Sequence, residues 1–280
     1  MQRGTEVKRA LRRRGAHLVE AFRPPGVKPP VRAPLPDLSA ARLVESPVFV
    51  LSSQRSGSTL LRVLLNSHSQ IRAPHELHLR TLKVRPSKDY TDAIMEALGL
   101  EINEIEHLLW DRVLHHELVR SGKRIIVDKT PANALIWHRI ASAWPRARFV
   151  FLLRHPAAVV ESVMARRDGA RYDEVVQEVL DYTSGVEEAR RALDGLTIRY
   201  EDLTAEPEKE TRRLCEFLGV PWEPEMLDYG DQDHGPLKPV FGDWSTNIKS
   251  GRVQKARPLP KDEDVPEPLR DICKIWGYIS

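Results

Sequence analysis

The sequence predicts an α/β fold: a three-layer sandwich with a central parallel sheet and a P-loop-like phosphate-binding loop. Three observations carry the prediction. Short continuous apolar runs, of the kind shown by strands buried on both faces, recur along the chain. Each is followed by a helical pattern, and the first is joined to its helix by a glycine turn rich in hydroxyls. Strands alternating with helices require crossover connections, and hence a largely parallel sheet covered on both sides.

SPVFVLSS (46–53) reads as the first strand and STLLRVLLNSH (58–68) as its helix. RIIVDKT (124–130) is the second strand, with Pro131 opening the helical run ANALIWHRIASAW. ARFVFLLR (147–154) is the third, with Pro156 opening AAVVESVMARR; a proline suits the first turn of a helix in both places. LTIRY is the fourth, leading through YEDL into EPEKETRRLCEFLGV, which stops at Gly219 and Pro221. Residues 87–120 and 171–194 read as polar helices forming a cap or flank. Residues 229–260 are rich in Gly, Pro, Asp and Lys and contain Trp244 and NIKSGRVQK; so long a loop in a compact domain is functional or disordered. Residues 265–277 close the chain as a short helix.

With 280 residues, 41% hydrophobic and 30% charged, the chain suffices for one substantial core, and a single domain is expected over 46–280 behind a basic, proline-rich leader, 1–45. The leader reads as a solvated tail. Lys and Arg number 43 against 40 Asp and Glu, a net charge of +3 that offers no general field for nucleic acid or membranes, so any anion site is local. Cys215 and Cys273 are too few for a disulfide framework and read as buried reduced thiols. No apolar run approaches the roughly 20 residues of a spanning helix, and the N-terminus lacks the apolar core of a secretion signal. A cytoplasmic protein with no transmembrane segment is expected.

In LSSQRSGSTLLR, Gln54, Arg55, Ser56, Gly57, Ser58 and Thr59 sit where backbone N–H groups and the positive end of a helix dipole face an anion. Gly57 permits close backbone approach, the hydroxyls of Ser56, Ser58 and Thr59 add donors, and Arg55 supplies a charged fork. The bland alternative is a strand-to-helix turn with a Ser/Thr cap. A P-loop kinase or hydrolase needs a lysine after its loop glycine and a carboxylate for Mg²⁺. Here Gly57 is followed by Ser58, and the strand-end Asp128 by Lys129, a pairing that suits an internal ion pair or an anionic ligand.

QRSGSTLLR after a buried strand resembles the 5'-phosphosulfate loop of sulfotransferases that use 3'-phosphoadenosine-5'-phosphosulfate (PAPS). The resemblance is to the branch with tyrosylprotein, heparan and bacterial members, where Arg replaces the Lys of cytosolic ones. FVFLLRHPAAVVESVMA resembles the family's second signature, in which a strand-end arginine and a helical serine hold the 3'-phosphate; these are Arg154 and Ser162. VDKTP resembles a segment lining the active site, YEDL the strand end that brings Tyr200 near the adenine, and NIKSGRVQ the late loop over the 3'-phosphate. The resemblance covers most of residues 46–255 and not the leader. It implies PAPS as co-substrate and PAP as product; no metal is expected, because a sulfuryl group carries less charge than a phosphoryl group and two arginines meet the phosphates. The implied nucleotide contacts are Arg55, Ser56, Gly57, Ser58, Thr59, Leu60, Arg154, Ser162, Tyr200, Lys249, Ser250, Gly251 and Arg252.

Sulfuryl transfer to an alcohol requires removal of the acceptor proton, stabilisation of charge on the leaving phosphate, and exclusion of water. Arg55 and, by its place on a neighbouring strand end, Lys129 are the candidates for the charge. RAPHELHLR, just beyond the first helix, offers His75, Glu76 and His78 as base. The resemblance points to Glu76, while intrinsic pKa favours a histidine; Glu76 is the first choice and His75 the second. The bland reading has these as exposed loop residues pairing with Arg72 and Arg80.

The expected acceptor is a hydroxyl of a small molecule, lipid, sugar or carrier-bound intermediate, lined by the polar helices. The alternatives are a P-loop-type nucleotide kinase or hydrolase and a non-catalytic PAP-binding module. His115 and His116 read as surface residues, and Trp110, Trp137, Trp144 and Trp276 as core. Trp244 reads equally as a platform for adenine or as packing.

Overall fold

A computed structural model describes residues 42–235 and 246–280, so most of the leader and Trp244 lie outside the described residues. Strands β1 (Val48–Ser52), β2 (Ile71–Arg72), β3 (Ile125–Asp128), β4 (Arg148–Leu153) and β5 (Gly195–Arg199) form one parallel sheet in the order β2-β3-β1-β4-β5. Around it lie α1 (Ser58–Ser67), α2 (Asp89–Leu98), α3 (Ile102–Ser121), α4 (Trp137–Ala143), α5 (Pro156–Met164), α6 (Tyr172–Ala192), α7 (Tyr200–Ala205), α8 (Pro207–Leu218) and α9 (Arg270–Ile275).

Successive side chains of a strand point to opposite faces, and every residue of β1 is buried, so each face must meet an apolar layer. Phe49, Leu51, Phe149, Phe151 and Leu153 join one core with Trp110 of α3, Ile140 of α4, Val159 of α5 and Val175, Val179 and Val186 of α6. Val48, Val50, Val150 and Leu152 join the other with Leu61, Leu64 and Leu65 of α1 and Leu214 and Leu218 of α8. Each such side chain contributes about 1.5–3 kcal/mol on burial. The result is the expected helix–sheet–helix sandwich.

From β1 the chain moves outward on one side to β2 and β3, and then returns to build β4 and β5 on the other. The connections leaving β1 and β4 therefore diverge, and the carboxyl edge of the sheet between them is where doubly wound folds bind ligands.

Some elements depart from the sequence reading. Residues just before Ser46 are held by later elements: the Leu43 and Val44 amides donate to the Asp111 carboxylate at 2.8 and 3.1 Å, Arg42 Nε donates to the Ala143 carbonyl at 2.8 Å, and Val44 is buried. Its apolar side chain gains more from the core than from the solvated leader assigned to it. The run after Pro131 is 3-10 helix over Pro131–Ile136 before α4 begins, because Asn133 is drawn to Asp128 (Nδ2 to Oδ2, 2.8 Å) and the chain tightens around that contact. At Gly185 of α6 an added Cβ would lie 2.5 Å from the Ala134 carbonyl oxygen, so α6 reaches that turn only with glycine there. Helix α6 is thus a core layer over the sheet and not a polar cap, since its valines face inward. Trp110, Trp144 and Trp276 are core as expected, Trp137 is partly buried beside it, and His116 is exposed.

Candidate active site

The loop from Ser53 to Gly57 turns sharply off β1 with two left-handed residues, Arg55 (φ 59) and Gly57 (φ 83). Glycine bears this conformation without cost, whereas Arg55 carries strain of order 1–2 kcal/mol, held by what its atoms touch. Arg55 Nε donates to Ser162 Oγ at 3.2 Å, and its carbonyl accepts from Arg154 Nη1. Ser53 and Ser56 share a hydroxyl hydrogen bond at 2.7 Å. Ser58, Thr59 and Leu60 form the first turn of α1, whose N-terminal amides carry no acidic side chain.

Tyr200 opens α7 and completes this side. The Arg154 guanidinium lies over its ring at 4.6 Å from the centroid, and a Cβ added to Gly57 would fall 2.2 Å from Tyr200 Cδ2. Gly57 therefore serves packing as well as backbone freedom, a second reason that the sequence does not display. Arg55, Arg154, Ser162 and Tyr200, read from separate motifs, are brought together here. Burial first, then the like charges of Arg166 and Arg154, hold the Arg55 guanidinium below its ordinary pKa. Crowded cations of this kind favour an anion between them.

The second group lies at the end of β3. Lys129 Nζ donates to Glu76 Oε1 at 2.6 Å, with the Lys129 side chain fully buried and that of Glu76 only 10% exposed. Lys129 thus pairs with Glu76, while its charge also acts on the adjacent Asp128. Asp128, completely buried, accepts instead from Thr130 Oγ1 and Asn133 Nδ2, both at 2.8 Å, and from the Leu77 amide. The His78 amide donates to Thr130 Oγ1 at 3.3 Å. Both residues that follow Glu76 are therefore tied to the strand that supplies Lys129. Arg72, which the bland reading paired with this loop, holds Glu117. His78 is exposed, with Nε2 3.4 Å from Glu76 Oε2, and His75 packs against Gly235, where an added Cβ would lie 2.9 Å from His75 Nε2.

Lys249, Ser250, Gly251 and Arg252 follow in the late basic loop, at the end of a 3-10 turn over Thr246–Ser250. Their backbone is held by Tyr229 and Gly230, and Arg252 Nε faces Asp228 Oδ1 at 3.7 Å. Sequence reasoning also missed several partners. Gln54 Nε2 donates to Glu178 Oε1 at 2.8 Å and to the Tyr182 hydroxyl at 3.3 Å, tying the loop to α6, and Glu178 pairs in turn with Arg167 at 2.6 Å. Glu201 accepts from the His155 amide at 3.2 Å and from the Tyr278 hydroxyl at 2.7 Å, bracing the residue after Arg154. The only signal for the first set was the pair Arg166–Arg167 soon after Ser162, and for the second the acidic YEDL string. Among the described residues no group of three His, Cys, Asp or Glu could hold a metal ion, and no helix is long and apolar enough to cross a membrane.

A family model described as the sulfotransferase family matches residues 47–224, a stretch that holds β1 through α8 and both groups above. The chain belongs to the sulfotransferase family. Protein-tyrosine sulfotransferase A of Caenorhabditis elegans is 23% identical over 65% of this chain and 52% of its own length. The nodulation protein NoeE of Sinorhizobium fredii is 32% identical over 41% of this chain and 30% of its own. The chain thus spans about half or less of the length of these curated relatives. Among solved structures, the sulfotransferase domain from the curacin biosynthetic pathway superposes with a TM-score of 0.61 at 26% identity, covering 84% of this chain and 99% of that one. The sulfotransferase domain of the Synechococcus PCC 7002 olefin synthase gives 0.60 at 23% identity, covering 89% and 99%.

Proposed function

We infer that this sulfotransferase-family chain moves a sulfuryl group from PAPS to an acceptor hydroxyl, giving PAP and a sulfate ester, with no metal in the reaction. One observation carries the reading: Arg55, Arg154, Ser162 and Tyr200 converge at the carboxyl edge of the sheet where the connections leaving β1 and β4 diverge, around a phosphate-type loop without a P-loop lysine. The residues fit such a donor. Arg55 and the amides of Ser56 to Leu60 meet the 5'-phosphosulfate, Arg154 and Ser162 the 3'-phosphate with Lys249 to Arg252, and Tyr200 lies at the adenine.

Glu76 takes the acceptor proton, with His75 as the second candidate. As the acceptor oxygen bonds to sulfur, the bond from sulfur to the 5'-phosphate oxygen breaks, and that oxygen gains negative charge. Lys129, 2.6 Å from Glu76, and Arg55 supply the positive charge for it. Protonation of Glu76 cancels its attraction for Lys129, so the ammonium becomes available as the leaving group needs it. The acceptor is a hydroxyl on a small molecule, lipid, sugar or carrier-bound intermediate. Cysteines that are both free and buried, each thiol pushed up to about 11 by burial, suit the cytoplasm.

Titration calorimetry with PAP, and with ADP with and without Mg²⁺, tests the reading. Metal-independent PAP binding that far exceeds ADP and collapses in Arg154→Ala supports it. Mg²⁺-dependent binding of ADP without PAP binding would replace it with a kinase or hydrolase. PAP binding without transfer to any hydroxyl in an acceptor screen would leave a non-catalytic module.

A further inference from the structure

The loop carrying Lys249 to Arg252 exposes its basic side chains, yet its backbone is firmly placed. Tyr229 and Gly230, in a 3-10 turn over Tyr229–Asp231, hold two successive carbonyls: the Gly230 amide donates to Gly251 O at 3.0 Å and the Tyr229 hydroxyl to Arg252 O at 2.9 Å. The two glycines meet backbone to backbone. A Cβ on Gly230 would lie 2.6 Å from Gly251 Cα, and one on Gly251, whose φ is +74, would lie 2.8 Å from Gly230 Cα. Tyr229 is 2% exposed and shares a core with Ile248, which anchors the other end of the basic turn through the Gly251 amide and the Ile248 carbonyl at 3.2 Å.

We propose that Tyr229 and Gly230 are positioning residues for the donor's 3'-phosphate, fixing the Lys249–Arg252 backbone so that its cations meet that phosphate. The proposal rests on the reading that this loop contacts the 3'-phosphate. The physical reason is entropic. Each flexible residue that must be ordered on binding loses backbone freedom, so a pre-placed loop binds its anion more tightly than a loose one. Neither Tyr229 nor Gly230 brings a cation itself; their effect passes through the carbonyls they hold.

PAP and AMP differ only by the 3'-phosphate, so calorimetric titration of both isolates the effect. Wild type binds PAP more tightly than AMP. In Gly230→Ala, PAP affinity falls about tenfold or more while AMP affinity stays within about twofold, and Tyr229→Phe shifts PAP in the same direction by about three- to fivefold. Wild-type PAP affinity in both variants, or an equal loss for PAP and AMP, overturns the proposal. If Gly230→Ala does not fold, Tyr229→Phe decides alone. Arg252→Ala separates the two levels: if it leaves PAP affinity unchanged, the reading of the loop falls and this proposal with it. If Arg252→Ala weakens PAP and the Tyr229 and Gly230 variants do not, only the positioning role falls.

Discussion

Glu76 shows what a single residue owes to its surroundings. On an open loop a carboxylate beside two histidines is a solvated charge, but here Lys129, wholly buried, has Glu76 as its partner at 2.6 Å. Glu76→Gln keeps an amide oxygen for that ammonium while removing the base. Transfer to any hydroxyl found in the acceptor screen is expected to fall about 10²- to 10⁴-fold, with PAP affinity within about twofold. Single-turnover transfer from labelled PAPS, together with calorimetry, checks both halves. Retained turnover would move the base to His75. The choice of Glu76 rests on the resemblance, since the residues alone left three candidates. Its pairing with Lys129 was not legible, because nothing in the spacing of residues 76 and 129 shows that β3 ends beside the base loop.

At the scale of elements, the β3 end is a polar joint. Asp128 is buried and accepts from Leu77, Thr130 and Asn133, and burial raises its pKa against the pull of those donors. Asp128→Ala leaves the donors without an acceptor and is expected to cost about 2–5 kcal/mol. Asp128→Asn removes a charge that burial already penalises, and the buried Asn133 Oδ1, which has no hydrogen-bond partner among the described residues, can turn to accept from the new amide. Its cost is expected to be about 1–2 kcal/mol. Urea unfolding gives the order: wild type, then Asp128→Asn, then Asp128→Ala. Reversal of the two variants would show that the charge itself, through Lys129, holds the joint. The strand was legible as RIIVDKT, but periodicity says nothing of which loop a strand-end carboxylate grips.

For the whole molecule, burial of histidines sets the response to acid. His107 accepts from Arg139 Nε at 3.1 Å, and burial, then Arg139 and Arg42, lower its pKa to about 4; burial likewise lowers His155 and His234. The unfolded chain takes up protons near the ordinary histidine pKa of about 6.5, while the folded chain refuses them. The stability these histidines contribute is therefore full above about pH 6.5 and is lost as the pH drops toward 4. Urea unfolding between about pH 7 and pH 4.5 is expected to show that loss, and His107→Gln, which keeps an acceptor for Arg139, to show a shallower one. Equal slopes would exclude His107 as a contributor.

The sequence by itself determined the layered α/β fold, the strand-to-helix loop and the two arginine signatures, because these are local: runs of buried residues, a glycine beside hydroxyls, an arginine ending a strand. Only the tertiary structure decided that Arg55 and Ser162 share a hydrogen bond, that Tyr200 fills the side of Gly57, that Lys129 turns to Glu76, and that Gly230 meets Gly251. Those contacts join residues far apart in the chain. They exist because the crossovers bring the carboxyl ends of β1, β3 and β4 to one edge of one sheet, and no local pattern records which side chains meet there.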